Sequence, residues 1–192
     1  MIISEKHNYV NISIPKTASV STREWLTTHC DGRLIADHHA CDASWYSDAM
    51  PLDCIVFAVV REPYARCYSL WKWETHTALQ GGMLVESSCG FEAFLHILVQ
   101  YQRCAPNVYM TQVEYTTRAR VNHVIHFENL PGELATLSFG KPHIEHFPHK
   151  NPNSRIGLKP SINKYYNKKT EALVWEYCRA DFETFGYERI VM

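Results

Sequence analysis

Six consecutive apolar residues, Ile55-Val56-Phe57-Ala58-Val59-Val60, constrain this chain more than any other stretch, because a strand with no polar face must be covered on both sides. Such a strand belongs at the centre of a mainly parallel sheet flanked by helices, which sets the class as α/β. The run stops at Arg61-Glu62-Pro63. Pro63 suits the first position of a helix, and Tyr64, Cys67, Tyr68 and Trp71 recur at three- and four-residue steps as its core face. Arg61 therefore stands at the carboxyl end of a buried strand, the side on which open α/β sheets bind ligands. It either serves an anion there or pairs with a carboxylate such as Glu62.

The segment Val10-Asn11-Ile12-Ser13-Ile14-Pro15-Lys16-Thr17-Ala18-Ser19-Val20-Ser21 repeats the theme. Val10, Ile12 and Ile14 suit a strand, Pro15 ends it, and Val20, Trp25 and Leu26 follow at helical spacing. Lys16 is thus delivered to a helix N-terminus, where the first N–H groups lack intrahelical partners and the dipole favours negative charge. Lys16 adds a mobile point charge, Thr17, Ser19 and Ser21 add hydroxyls, and the backbone amides from Thr17 through Ala18 and Val20 to Ser21 can hold a phosphate. The plainer alternative is an ordinary strand–turn–helix with Ser/Thr capping. The topology rule makes Lys16 and Arg61 converge on one crevice, with Ser69, two turns into the second helix, joining Arg61 at a second anionic group.

These residues resemble a family. Pro15 to Ser21 is similar to the 5′-phosphosulfate loop, and Arg61-Glu62-Pro63 through Ser69 to the 3′-phosphate motif, of sulfotransferases that use 3′-phosphoadenosine 5′-phosphosulfate (PAPS). The likeness is greatest to the carbohydrate branch, which includes the heparan-type 2-O-sulfotransferases. Val124-Ile125-His126-Phe127-Glu128-Asn129-Leu130 resembles the family's late strand and turn, His149 to Arg155 a loop near the nucleotide, and Asp181 to Tyr187 the C-terminal signature. The five matches fall in family order.

The resemblance implies a P-loop-like sulfotransferase fold, PAPS as sulfuryl donor, its desulfated form PAP as product, no required metal, and a hydroxyl acceptor on a carbohydrate. It gives Lys16 the bridging oxygen of the leaving group, Arg61 and Ser69 the 3′-phosphate, and Arg155 an assisting place at the nucleotide. The base it implies is a histidine in Asp37-His38-His39-Ala40, after the short strand Arg33-Leu34-Ile35; His39 fits best and His38 is the alternative. Ala18 stands where this loop often has glycine, a replacement that a backbone with negative φ accommodates.

A chain of 192 residues suits one core of typical domain size, so a single domain over 1–192 is expected. With 19 Lys and Arg against 20 Asp and Glu there is no global basic field for nucleic acid or an anionic membrane. The first residues lack the pattern of a signal peptide, no segment has the length of an apolar membrane span, and the seven cysteines contain no CxxC pair, so a reducing, cytoplasmic setting is expected. His143, His146 and His149 have ligand-like spacing, but Pro142 and Pro148 interrupt the helix that a zinc site there would need.

A P-loop kinase is disfavoured because no glycine precedes Lys16 at the Walker spacing and the buried strand ends in Arg61 rather than a magnesium-binding aspartate. A non-catalytic nucleotide-binding module of the same fold is the remaining alternative. Phe91, Phe94, Leu95, Leu98 and Val99, and later Leu173, Val174 and Tyr177, read as core faces of two further helices, and Gln80 to Gly90 as a loop. Trp45, Trp71, Trp73 and Tyr101 are aromatic candidates for an acceptor surface, and Lys72, Gln112 and Glu114 polar ones.

Overall fold

The computed structural model describes residues 1–36, 40–78, 85–101, 107–148 and 164–192. In chain order, β1 (Ile2–Ser4) and β2 (Tyr9–Ile12) form a hairpin, followed by α1 (Ser19–His29), the two-residue β3 (Arg33–Leu34) and β4 (Ile55–Val60). Then come α2 (Pro63–Ala78), α3 (Phe91–Tyr101), α4 (Gln112–Arg118), β5 (His123–His126) and α5 (Lys168–Phe185).

The strands lie in one sheet of order β3-β1-β2-β4-β5. β4 is central to its parallel half, paired with β2 from Tyr9↔Ile55 to Ile12↔Ala58 and with β5 from Phe57↔His123 to Val60↔His126. β1 adds an antiparallel flank, bonded to β2 on one side and β3 on the other. The expected α/β class and parallel centre are present; the antiparallel flank is a structural addition. Ser13 and Ile14, expected within the second strand, stay buried but leave the ladder, because the chain there turns toward α1.

The chain groups into two compact units, Met1–Arg61 with Gln112–Asn151, and Glu62–Thr111 with Pro152–Met192. The first holds the sheet. Tyr9, Trp25, Leu26, Phe57, Val59, Ile125 and Phe139 form its core, with the Tyr9 ring stacked on Phe139 at 4.2 Å. The second is helical: α2, α3 and α5 bury Tyr64, Cys67, Leu70, Phe94, Leu95, Leu98, Val174 and Phe182 against one another. Its α5 starts on a capping box, in which Asn167 accepts from the Lys169 and Thr170 N–H groups while Thr170 accepts from that of Asn167, and ends at Gly186 in the left-handed conformation.

Two polar networks specify the packing of the second unit. Arg66, fully buried, donates to the Met110 carbonyl at 2.8 Å and lies among Tyr177, Asp181, Cys67 and Cys178. Nearer the end of the chain, Arg189 makes a two-pronged pair with Glu171, at 2.7 and 3.1 Å, while the Tyr64 hydroxyl donates to the same carboxylate.

Candidate functional site

At the carboxyl ends of the parallel strands in the first unit, the segment between β2 and α1 has an uncommon backbone. Lys16 (φ 69) and Ala18 (φ 64) both adopt the left-handed conformation, on either side of Thr17. Alternation of this kind turns successive N–H groups toward one concave side, the geometry of an anion nest. Ala18 thus occupies the conformation that glycine takes freely, rather than the negative φ expected for it. The Thr17 hydroxyl, expected as a donor to a ligand, donates instead to the Ile14 carbonyl at 2.9 Å and ties the loop to the strand end. What Thr17 can offer an anion is its backbone N–H.

α1 begins here without a side-chain cap. Ala18 is its cap residue and has no acceptor to supply, no acidic residue lies in the first turn, and the first helical bond runs from the Thr22 N–H to the Ala18 carbonyl at 2.9 Å. The N–H groups of Ser19 and Val20 precede that bond, so helix geometry provides them no carbonyl. Two side-chain oxygens nearby are buried with no hydrogen-bond partner among the described residues, Ser13 Oγ and Thr22 Oγ1. Orphaned hydroxyls beside an uncapped helix N-terminus suit a ligand rich in acceptor oxygens, as a phosphate is.

The N-terminus of α2 in the second unit contrasts with this. There the Glu62 carboxylate accepts from the Tyr64 N–H at 3.0 Å and the Ala65 N–H at 2.7 Å, filling the helix end from within the chain. Ser69 is half-buried on that helix.

Arg61 closes the first unit's site. One guanidinium N–H donates to the Lys16 carbonyl at 3.1 Å, and the guanidinium carbon lies 4.3 Å from the centre of the Phe127 ring. Its backbone is held as well. The Arg61 N–H donates to Gln112 Oε1 at 2.7 Å, and Gln112 Nε2 donates to the Arg61 carbonyl at 2.8 Å. Gln112 is fully buried, which removes it from the acceptor candidates and makes it part of the site's frame.

One strand over, at the end of β5, His126 and Glu133 form a second polar group. Glu133 accepts from the His126 N–H and from Asn129 Nδ2, both at 2.7 Å, and its other contact is His126 Nδ1 at 3.6 Å. Partial burial pushes the Glu133 carboxyl up, but these hydrogen bonds and His126 outweigh it, so the group lies below the usual carboxylate range.

Of the residues expected at the site, Lys16, Thr17, Ala18, Ser19, Val20, Ser21 and Arg61 belong to the first unit, with Lys16 and Arg61 in direct contact, and Ser69 belongs to the second. His38, His39 and Arg155 lie outside the described residues, as does the first part of the expected loop, Gln80 to Leu84. Phe127, Ser13 and Thr22 are frame or lining residues to which sequence reading gave no role, and Gln112 is one it placed among the acceptor contacts instead. Phe127 alone left a signal, as the first residue past a strand.

Among the described residues no group of three or more His, Cys, Asp or Glu side chains is placed to hold a metal ion. His143 and His146 sit on a 3₁₀ stretch, Lys141–His146, where His146 stacks on His29 at 4.8 Å; His149 is outside the described residues. Among the described residues no helix is long and apolar enough to cross a membrane. No family model, no curated protein and no solved structure matches the chain.

Proposed function

We propose that the chain is a sulfotransferase that moves a sulfuryl group from PAPS to an acceptor hydroxyl, in keeping with the carbohydrate branch it resembles. The observation that carries the reading is the left-handed loop at Lys16 and Ala18, opening on an uncapped α1 and braced by Arg61. Ser13 Oγ and Thr22 Oγ1 suit such a donor, being buried hydroxyls with protons to give and no partner among the described residues.

When bound, the donor supplies an activated sulfuryl group whose departure leaves charge on a phosphate oxygen. The residues' roles follow from their chemistry. The amides from Thr17 to Ser21 hold the 5′-phosphate, where dipole and N–H groups favour negative charge. Lys16 carries its ammonium to the oxygen on which charge develops, stabilising it as the bond breaks. Arg61 takes the 3′-phosphate through forked hydrogen bonds. His39, or His38, removes the acceptor proton, and Arg155 assists at the nucleotide. A reducing, cytoplasmic setting belongs to the proposal.

The test is isothermal titration with adenosine 3′,5′-bisphosphate beside adenosine 5′-phosphate and ATP, followed by transfer assays on acceptor panels. Micromolar binding that needs the 3′-phosphate and weakens by about 1.5–3 kcal/mol in Arg61→Ala supports the reading. Equal affinity for the three nucleotides overturns it. Lys16→Ala separates catalysis from binding: transfer is lost while bisphosphate binding stays measurable. Bisphosphate binding without transfer to any acceptor would favour the non-catalytic module.

A further inference from the structure

Both ends of β4 are held by a side-chain amide, in nearly the same way. At the start, Asn122 Oδ1 accepts from the Val56 N–H at 2.9 Å and Asn122 Nδ2 donates to the Cys54 carbonyl at 2.9 Å. At the end, Gln112 makes the corresponding pair with Arg61, 51 positions away in the chain. Each amide imitates the edge of a neighbouring strand, satisfying a donor and an acceptor that the ladder does not reach. The two clamps differ in what stands beside them. Asn122 faces the start of the strand, away from the ligand side, whereas Gln112 grips Arg61, a residue at β4's exit whose side chain meets the Lys16 loop.

We infer that Gln112 is a positioning residue for the anion site: by fixing the Arg61 peptide on both its N–H and carbonyl sides, it sets the guanidinium against the Lys16 carbonyl and the Phe127 ring. The inference rests on the nucleotide reading of that loop. Its physical basis is that a guanidinium on a flexible stem gains specificity only where its base is immobile. Two hydrogen bonds from a fully buried amide remove the rotation of the peptide that would swing the side chain away. An amide suits this part because the position must accept at one atom and donate at another. A carboxylate accepts at both, and a thioether does neither usefully.

The experiment compares wild type with Gln112→Met, Gln112→Glu, Asn122→Met, Arg61→Ala and the Gln112→Met/Arg61→Ala double variant. Each is melted by circular dichroism and titrated with adenosine 3′,5′-bisphosphate and adenosine 5′-phosphate. Gln112→Met is expected to weaken the bisphosphate about tenfold, the worth of one well-placed hydrogen bond, and to leave the 5′-phosphate unchanged. In the Arg61→Ala background the same substitution is expected to cost less than about twofold, because its effect passes through the missing guanidinium. Asn122→Met, which removes the opposite clamp, is expected to lower the melting temperature without changing either affinity.

If Gln112→Met and Asn122→Met act alike, or if the Gln112 effect persists without Arg61, the residue is scaffold and the inference is overturned. Should Gln112→Met fail to fold, Gln112→Glu decides the matter. It keeps the acceptor for the Arg61 N–H and loses the donor, so a selective loss of bisphosphate affinity supports positioning and unchanged affinity refutes it. A wild type that binds neither nucleotide overturns the nucleotide reading itself, a result distinct from a wild type that binds and variants that do not discriminate.

Discussion

Ala18 at φ 64 and ψ 21 makes a prediction that can be worked from its backbone alone. Holding an L-residue with a Cβ in the left-handed region costs about 1–2 kcal/mol, which glycine does not incur. Against that, a glycine gives the unfolded chain freedom worth about 0.4–1 kcal/mol. Ala18→Gly should therefore stabilise the first unit by about 0.5–1 kcal/mol, a rise of about 1–4 °C in Tm for a chain of this size. Ala18→Val tests the opposite direction. A β-branched side chain at positive φ is strained by about 1–3 kcal/mol, and this substitution should lower Tm accordingly. Urea unfolding of the three proteins, followed by tryptophan fluorescence, reads the difference; Trp25 is buried in the same unit. A destabilised Ala18→Gly together with a tolerated Ala18→Val would mean that the residue has an ordinary negative φ, and the nest geometry would fall with it.

Three further outcomes follow from the packing. Thr17→Val, which leaves the buried Ile14 carbonyl without the Thr17 hydroxyl, should cost about 1–3 kcal/mol in urea unfolding despite the matched shape. Arg66→Met should cost about 1–3 kcal/mol by the same assay, because it leaves the buried Met110 carbonyl without the guanidinium donor; an unchanged stability would refute the contact. The Glu171 carboxyl is held below its ordinary range chiefly by the Arg189 hydrogen bonds, which outweigh burial, with Tyr64 adding to them. A lowered folded-state value stabilises above the unfolded one, about 4.3, and that contribution is lost as pH falls through the lowered value. Glu171→Gln should accordingly flatten the acid limb of a Tm-against-pH curve, and an unchanged limb would show that the pair contributes nothing.

What the sequence made legible is what short range determines. The apolar run from Ile55 to Val60 is β4 to the residue, since six apolar positions admit no other placement. The helices beginning at Pro63 and Phe91 follow from proline geometry and apolar spacing. The loop after β2 was legible as a helix entrance, from Pro15 and the small residues behind it. Its conformation was not, because alanine carries no mark of a positive φ as glycine would. Glu62 was open to reading as a partner for Arg61; its carboxylate accepts from the Tyr64 and Ala65 N–H groups at the start of α2, a capping role that only the folded helix end displays. Gln112 read as an acceptor contact for a related reason: its partner is 51 positions distant, and nothing in a linear string reveals an amide closing on a peptide that far away. β1 is too short to carry a period, and only pairing makes it a strand, whereas the short strand expected at Arg33-Leu34-Ile35 forms over its first two residues.

The Gln112–Arg61 clasp has a consequence for how such a chain can change over generations. The first compact unit is left after Arg61 and rejoined at Gln112, so the two hydrogen bonds join the departure and the return of a long excursion. Doubling the length of a flexible loop costs only about 0.6 kcal/mol in closure entropy. Residues can therefore be gained or lost at the surface turns of that excursion without any displacement being passed to the guanidinium. Length is free to drift on one side of the clasp, while on the other a single inserted residue between β2 and α1 would shift Lys16 out of line. The clasp divides the sequence into a stretch where insertions are tolerated and one where the count is fixed.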